Sequence, residues 1–135
     1  MSAAKRPPKR RAEPFRLRLH IHVGETHSLG PGKVALLEAI GAHGSISAAA
    51  RELGMAYRHA WDLVDDLNGA FDAPVVDTSA GGERGGGARL TPFGAELAKR
   101  FRALERRALA ALGTELRRLE PHVRKARRAR SRPRR

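Results

Sequence analysis

The stretch Gly44–Phe71, GSISAAARELGMAYRHAWDLVDDLNGAF, decides the fold because it predicts two short helices joined by a tight turn. Ser47 is suited to cap the first helix, over Ala48–Leu53, since its hydroxyl accepts a hydrogen bond from an otherwise unpaired first-turn amide. Gly54 can adopt a positive φ and end this helix. A second helix is then predicted from about Ala56 to Asn68.

The second predicted helix has one apolar face. At 100° per residue, this face carries Ala56, Ala60, Leu63, Val64, Leu67 and Phe71. Arg58 points away from it, and Tyr57 and Trp61 share one flank. Such an arrangement suits the second helix of a helix-turn-helix, whose early side chains meet base edges in the major groove. An ordinary helical hairpin inside a core is the open alternative.

Positive charge is concentrated at both ends of the chain. The 135 residues carry a formal net charge of +13, of which residues 1–18 contribute +6 and residues 121–135 contribute +8. Basic arms of this kind attract polyanions through counterion release without reading sequence. We expect residues 1–14 and 122–135 to be disordered, and KRPPKRR reads either as a solvated arm or as a nuclear localisation signal.

Several classes of protein are excluded by what the sequence lacks. There are no cysteines, which excludes disulfides and thiolate metal sites. No apolar segment follows the basic start, and the longest apolar runs are too short to span a membrane. No catalytic triad, carboxylate pair or metal cluster is visible. We therefore expect a cytoplasmic, nucleoid-associated protein that is not an enzyme, binds no cofactor and has no membrane partner.

The segment Phe15–Val23, FRLRLHIHV, alternates strictly between apolar and polar residues and predicts a half-buried strand. His20 and His22 share the polar face and are a possible part of a metal site. No cysteine or acidic cluster accompanies them, whereas zinc sites usually need three or four ligands. A loop is predicted over Gly24–Gly32.

A helix over Pro31–His43 is predicted next, with an apolar stripe that would pack under the helical hairpin and complete a three-helix core. Beyond the hairpin, Pro74–Val76 and Arg89–Leu90 predict two short strands around the glycine-rich run Gly81–Gly87. This β-hairpin would be the wing of a winged helix. A phosphate-binding nucleotide loop is the alternative, but no Gly-Lys-Ser/Thr follows and no helix starts from the glycines.

A long helix is predicted over Pro92–Glu120, capped by Thr91 and ended by Pro121. At 1.5 Å per residue it would be roughly 40 Å long, more than a small domain can cover. We expect the same helix of a second subunit to cover the outer half, although a fold-back onto its own domain is the alternative. The expected dimer contacts are Phe101, Leu104, Ala108, Leu112, Leu116 and Leu119.

Several short motifs together resemble one known family. They are Gly30-Pro31-Gly32, Leu36–Ile40, Gly44-Ser45-Ile46-Ser47-x-Ala49-Ala50, Tyr57-x-x-Ala60-Trp61-Asp62, Asn68 and Gly85–Pro92-x-Gly94. This set is similar to the N-terminal DNA-binding domain of ModE-type molybdate-responsive regulators, a relative of the LysR-type winged helix. The resemblance covers residues 15–112 and implies a dimer that binds operator DNA and regulates transcription.

The resemblance does not extend to molybdate sensing. In full-length members of that family, molybdate binds separate C-terminal domains, whereas this sequence continues into an Arg-rich arm. We therefore expect no molybdate-binding domain in this chain. The predicted fold class is mainly α with a small β-sheet, a winged helix-turn-helix at 15–91 followed by a long dimerisation helix at 92–121.

The residues expected to contact double-stranded DNA are Ser45, Ser47, Ala56, Tyr57, Arg58, Trp61, Asp62, Arg84 and Arg89. Arg58 is the best base-edge candidate because a guanidinium pairs bidentately with guanine. Asp62, one turn later, would hold Arg58 in place or accept a hydrogen bond from cytosine. Asp65 and Asp66 should face away from DNA. A sequence-neutral nucleic-acid packaging protein and a protein-interaction module built on the long helix are the alternative functions.

Overall fold

The computed structural model describes residues 14–78 and 87–124. This part of the chain is mainly α, with four helices: α1 (Pro31–His43), α2 (Ile46–Leu53), α3 (Tyr57–Ala70) and α4 (Pro92–Leu119). Two antiparallel pairs of short strands complete it: β1 (Ile21–Val23) with β2 (His27–Leu29), and β3 (Val76–Asp77) with β4 (Arg89–Leu90). The chain divides into two compact units, residues 18–107 and residues 1–17 with 108–135.

The N-terminal strand is shorter than its alternating sequence predicts. Side-chain exposure does alternate from Phe15 to Val23, but only Ile21–Val23 form a strand. The reason is that only these residues have a partner, His27–Leu29, with Ile21 opposite Leu29 and Val23 opposite His27. The prediction of a loop over Gly24–Gly32 is therefore wrong, since it contains both a turn and this second strand.

Helix α1 has the bounds that the sequence predicts, Pro31–His43. Proline at its first position needs no backbone donor there, and its fixed φ already suits a helix. Gly44 ends the helix with a φ of 70°, and its N–H donates to the carbonyl oxygen of Ile40 at 2.8 Å. Val34, Leu37 and Ile40 are fully buried, so the predicted apolar stripe forms the centre of the core.

Helix α2 begins two residues earlier than predicted. Its N-cap is Ser45, whose hydroxyl oxygen accepts from the backbone N–H of Ala48 at 2.9 Å, whereas Ser47 lies exposed inside the helix. The earlier start buries Ile46, which is 1% exposed, and burial of this side chain outweighs the equal capping ability of the two serines. Gly54 ends the helix with a φ of 67°, as the sequence predicts.

Helix α3 buries the face predicted for it, with Ala60, Val64 and Leu67 fully inaccessible to solvent. Ala56 is an exception: it is exposed and precedes the helix as an extended N-cap residue, so it does not belong to the apolar face. Phe71 follows the helix in an extended conformation, and its ring packs edge-on against that of Phe93 with centroids 5.4 Å apart.

The predicted wing is present at its base. Val76 pairs with Leu90 and Asp77 pairs with Arg89, so the first wing strand lies slightly later than the predicted Pro74–Val76. Residues 79–86 lie outside the described part of the chain, and so do Arg84 and most of the predicted glycine-rich tip.

Helix α4 starts as predicted, because the Thr91 hydroxyl accepts from the backbone N–H of Gly94 at 2.9 Å. Phe101 is 1% exposed and belongs to the core of its own domain. Its predicted role as a dimer contact is therefore wrong, since a side chain buried within one chain offers no surface to a second. Arg102 binds Glu38 of α1 and Glu105, and the hydrogen bonds to these carboxylates raise the pKa of its guanidinium.

The unit formed by the chain start and the end of α4 has its own small apolar contact. Phe15 is half-buried beside Leu109, Gly113 and Leu116, and these residues line a shallow cavity of about 320 Å³. Leu112 and Leu119 stay 46% and 53% exposed. After Leu119 a short 3-10 helix over Glu120–His122 contains Pro121, so His122 belongs to a helical turn and not to the predicted disordered tail. The rest of that prediction, for residues 125–135, and the predicted disorder of residues 1–13 lie outside the described part of the chain.

Candidate nucleic-acid interface

The first turn of α3 presents a cluster of exposed polar and aromatic side chains. Tyr57 is 49% exposed, and Arg58 and His59 are exposed beside it. The Tyr57 ring meets Trp61 edge-on, with centroids 6.3 Å apart, as expected for residues one turn apart on the same flank. Trp61 is half-buried, so its packing holds the Tyr57–Trp61 pair in place at one side of the exposed turn.

Arg58 makes no hydrogen bond or ion pair with any residue that the structure describes. Asp62, one turn later, is also exposed and does not bind it, so the prediction that Asp62 holds Arg58 is wrong. In water, an exposed pair of this kind gains little free energy and costs side-chain entropy. Both groups are therefore left available to an outside partner, Arg58 as a donor and Asp62 as an acceptor.

A second exposed carboxylate, Asp65, lies on the same stripe of α3 as Arg58. Asp65 is exposed and lies seven residues after Arg58, which on a regular helix is about 20° away on the same stripe. The sequence predicts that Asp65 faces away from DNA, and its place on the same stripe as Arg58 does not support that expectation. Because a carboxylate repels phosphate, Asp65 makes this part of α3 less suited to contact with a polyanion than the first turn.

Asp66 does turn away from this stripe and joins three elements. It binds the Lys33 ammonium of α1 and lies 2.9 Å from Nδ1 of His27 in β2. Lys33 also donates to the carbonyl oxygen of Ser28 at 2.6 Å. The hydrogen bond from Lys33 lowers the pKa of the Asp66 carboxyl. This network fixes the middle of α3 to the N-terminal strands, and no spacing rule in the sequence pairs residues 33 positions apart.

The two predicted phosphate-contacting serines have different environments. Ser45 is half-buried, and its oxygen is used as an acceptor by the α2 cap, which leaves its O–H free to donate. Ser45 also forms an isolated β-bridge with Gly87 of the wing. Ser47 is exposed in the first turn of α2. Both serines thus lie at the start of α2, where backbone amides favour a phosphate.

The base of the wing is fastened to the helices around it. The N–H of Ala88 donates to the carbonyl oxygen of Gly44 at 3.0 Å. The side chain of Asn68 binds the first wing strand, a role that the sequence does not reveal. Arg89 is exposed at the start of the second strand. The wing base therefore presents one cation, while Arg84 lies outside the described residues.

Metal binding is not supported at His20 and His22. Within residues 14–78 and 87–124, no group of three or more His, Cys, Asp or Glu side chains is placed to hold a metal ion. The His20 ring instead packs against Gly30. If Gly30 carried a side chain, its Cβ atom would lie 2.7 Å from Nδ1 of His20. Within these described residues, no helix is both long and apolar enough to cross a membrane.

A family model for a bacterial regulatory helix-turn-helix protein of the lysR family matches residues 32–95. This range runs from the start of α1 through α3 and the wing to the first turn of α4. The predicted resemblance at the level of the fold is therefore confirmed. The family description is that of a regulatory protein and not of an enzyme, as the sequence predicts.

Three proteins of similar sequence are named as a transcriptional regulator or as molybdenum-related proteins. Molybdenum-pterin-binding protein MopB of Rhodobacter capsulatus is 53% identical over 77 residues, which are 57% of this chain and 28% of the relative. Molybdenum transport protein ModE of Azotobacter vinelandii is 37% identical over 91 residues, 67% of this chain and 34% of that protein. The DNA-binding transcriptional dual regulator ModE of Escherichia coli K12 is 39% identical over 67 residues, 50% and 26% of the two chains. The chain spans about a third or less of the length of these relatives.

Proposed function

Because the chain carries a LysR-type helix-turn-helix domain and is similar to ModE regulators, we propose that it binds specific DNA sequences and regulates transcription. It does so as a dimer, with α3 in the major groove and the wing on the flanking backbone. No molybdate-binding role is assigned to any described residue.

The observation that carries this proposal is Arg58, which is exposed on the first turn of α3 and makes no ion pair or hydrogen bond within residues 14–78 and 87–124. Its guanidinium lies opposite the buried residues Ala60, Val64 and Leu67 and is not neutralised by Asp62. Arginine pairs bidentately with O6 and N7 of guanine, and Asp62 can accept from N4 of cytosine. Tyr57 and Trp61 add an apolar edge that suits a thymine methyl group.

Contacts to the DNA backbone come from outside α3. The Ser45 hydroxyl and the first amides of α2 can donate to phosphate oxygens, as can Ser47. Arg89, and Arg84 nearer the wing tip, supply positive charge to the flanking phosphates. Such contacts place the protein on the duplex, while the side chains on α3 choose the sequence.

The dimer is proposed from the apolar residues on the second half of α4. Leu112 and Leu119 are seven residues apart, which places them on one stripe of the helix, and about half of each side chain is exposed. Ala108 and the half-buried Leu116 flank this stripe, and Leu104 is 45% exposed earlier in the helix. A row of exposed leucines marks an interaction surface, and a second copy of α4 is its simplest partner.

A second candidate function, sequence-neutral packaging of nucleic acid, is favoured by the distribution of charge. Residues 14–91 contain seven Lys/Arg and nine Asp/Glu, whereas residues 92–135 contain fifteen and four. Most of the electrostatic attraction for DNA therefore comes from the C-terminal part of the sequence, which carries no base-reading helix.

The test is selection of binding duplexes from a random-sequence library with the full chain, followed by affinity measurements at fixed salt. A specific regulator should bind the selected duplex at least ~10³-fold more tightly than random DNA. A ratio near one would instead establish the packaging function. Removing residues 125–135 should then weaken both affinities by a similar factor and flatten their salt dependence.

A further inference from the structure

One side chain, Asn68, joins the recognition helix α3 to the wing. Its Oδ1 accepts hydrogen bonds from the backbone N–H groups of Val75 at 2.7 Å and Val76 at 3.0 Å, and its Nδ2 donates to the carbonyl oxygen of Val76 at 3.1 Å. Val75 and Val76 are buried, so their backbone amides have no ready exchange with water. Losing Asn68 would therefore leave two buried donors without a partner, which is costly.

The same segment is also held by the start of α4. The N–H of Thr91 donates to the carbonyl oxygen of Val75 at 3.1 Å, and its hydroxyl donates to that of Pro74 at 2.6 Å. A Cβ atom on Gly94 would lie 2.1 Å from the Val75 oxygen, so only glycine permits this approach. Thr91 and Gly94 tie the wing to α4, but Asn68 alone among these residues lies on the recognition helix.

Asn68 and Arg58 are carried by one rigid element. They are ten residues apart on α3, about 15 Å along the helix axis. Beyond Asn68, β3 pairs with β4 so that Asp77 lies opposite Arg89. The position of Arg89 relative to Arg58 therefore depends on how β3 is attached to α3.

We propose that Asn68 is a positioning residue that sets where the wing meets the DNA backbone relative to the bases contacted by the first turn of α3. This inference rests on the proposed function, and on phosphate contact through Arg89 in particular. Asn68 itself does not touch DNA. Its effect on binding is indirect. Without its hydrogen bonds, β3 and β4 would shift and would move Arg89 away from the phosphates.

The test is a pair of double-mutant cycles on the duplex selected from the random library. Arg89→Ala and Asn68→Ala should each weaken binding by about tenfold, the effect of one lost net interaction of 1.4 kcal/mol. The double variant should be no weaker than Asn68→Ala, because a displaced wing has already lost the Arg89 contact. In the control cycle with Arg58→Ala, which acts through the helix, the two factors should multiply.

Each result of the cycles has a distinct meaning. If the effects of Asn68→Ala and Arg89→Ala multiply, the positioning role is overturned while the wing contact stands. If Arg89→Ala alone leaves binding unchanged, the proposed wing contact fails, and this inference fails with it. If the parent chain binds all duplexes equally, the proposed function is rejected whatever the two cycles show.

A second measurement does not depend on DNA. Asn68→Asp keeps the oxygen that accepts from both amides but loses the Nδ2 donor to the Val76 carbonyl oxygen, so its affinity for the selected duplex should lie between those of the parent and Asn68→Ala. Hydrogen exchange at the Val75 and Val76 amides should accelerate at least tenfold in Asn68→Ala and little in Asn68→Asp, with the α3 amide of Ala60 as the unchanged reference. Equal protection of these two amides in the parent and the alanine variant would overturn the proposal, even if the alanine variant binds DNA poorly.

Discussion

Arg58 is an exposed charge that makes no ion pair with any described residue, and the proposed DNA contact depends on it. It is the cation on the exposed stripe of α3, and neither Asp62 nor Asp65 neutralises it by direct contact. A guanidinium that already had a carboxylate partner would have to break that pair before binding a base. The absence of such a pair leaves Arg58 prepared for a bidentate contact.

We expect Arg58→Ala to weaken binding to the selected duplex by ~1–3 kcal/mol and to relax sequence preference at one position. The fold should be unchanged, because the side chain packs against nothing in the core. Fluorescence anisotropy with selected and random duplexes measures both effects. Arg18→Ala, which removes an exposed charge before β1, is the matched control and should weaken all duplexes alike. Equal binding by the parent and Arg58→Ala would show that another residue reads the base.

Asp66 gives the fold a dependence on acid pH. Because Lys33 lowers the pKa of this carboxyl in the folded state, the unfolded chain takes up the proton first as the pH falls. The stabilisation is therefore complete above the pKa of an unfolded aspartate, about 3.9, and is lost as the pH falls through the lower folded value.

Asp66→Asn should lower the free energy of unfolding by about 1 kcal/mol at pH 7, since the ion pair is partly exposed to solvent. The difference from the parent should shrink as the pH falls below about 4. Urea unfolding followed by circular dichroism at pH 7 and pH 3 measures it. The control is Asp65→Asn: Asp65 is exposed next to Asp66 and makes no ion pair with a described residue, so this variant should match the parent at both pH values. A constant difference at both pH values would argue against the Lys33 contact as the cause.

At the scale of single elements, packing in the core determines where helix α2 begins. Two serines two residues apart can both act as caps, and only Ser45 leaves Ile46 inside the core. The same turn carries the β-bridge to Gly87, so the start of α2 also sets the position of the wing base. The position of the N-cap therefore affects two parts of the proposed DNA surface, the start of α2 and the base of the wing.

Ser45→Ala should reduce the free energy of unfolding by about 1 kcal/mol, the usual cost of losing an N-cap. Ser47→Ala should change it by less than about 0.5 kcal/mol, because an exposed serine inside a helix contributes little. Urea unfolding in the absence of DNA compares the two variants directly. The reverse order of effects would place the cap at Ser47 after all.

At the scale of the whole molecule, the proposed dimer would determine how the protein meets its operator. Two copies related by a two-fold axis would present two recognition helices to half-sites about one helical turn apart, or a multiple of it. Each leucine of the exposed stripe would contribute ~1.5–3 kcal/mol if fully buried by the partner. Such a dimer would also bring two Arg-rich C-terminal sequences to one DNA site.

Leu112→Asp combined with Leu119→Asp should split the dimer, because each carboxylate would be buried without a partner. Sedimentation equilibrium at micromolar concentration should give about twice the chain mass of 14.7 kDa for the parent and a single chain mass for the variant. The control is Ala110→Asp, an exposed position on the opposite side of α4, which should remain dimeric. A parent of monomer mass would remove the dimer from the proposed function.

The sequence by itself determined the elements whose signals are local. The bounds of α1, the stop at Gly54 and the cap at Thr91 follow from proline, glycine and threonine at positions where each satisfies or removes a nearby backbone group. The buried face of α3 follows from helical periodicity. These features depend on residues within one or two turns of each other, so a linear sequence contains all that they require.

Only the tertiary structure decided which alternatives were used. In the folded chain the N-cap of α2 is Ser45 and not Ser47, part of the predicted loop forms a strand, and Phe101 lies in the core. The fold also leaves Arg58 without an ion pair to any residue that the structure describes, and joins Asp66 to Lys33 and Asn68 to the wing. Each of these outcomes depends on contacts between distant parts of the chain or on competition with water, and neither is encoded in the spacing of neighbouring residues.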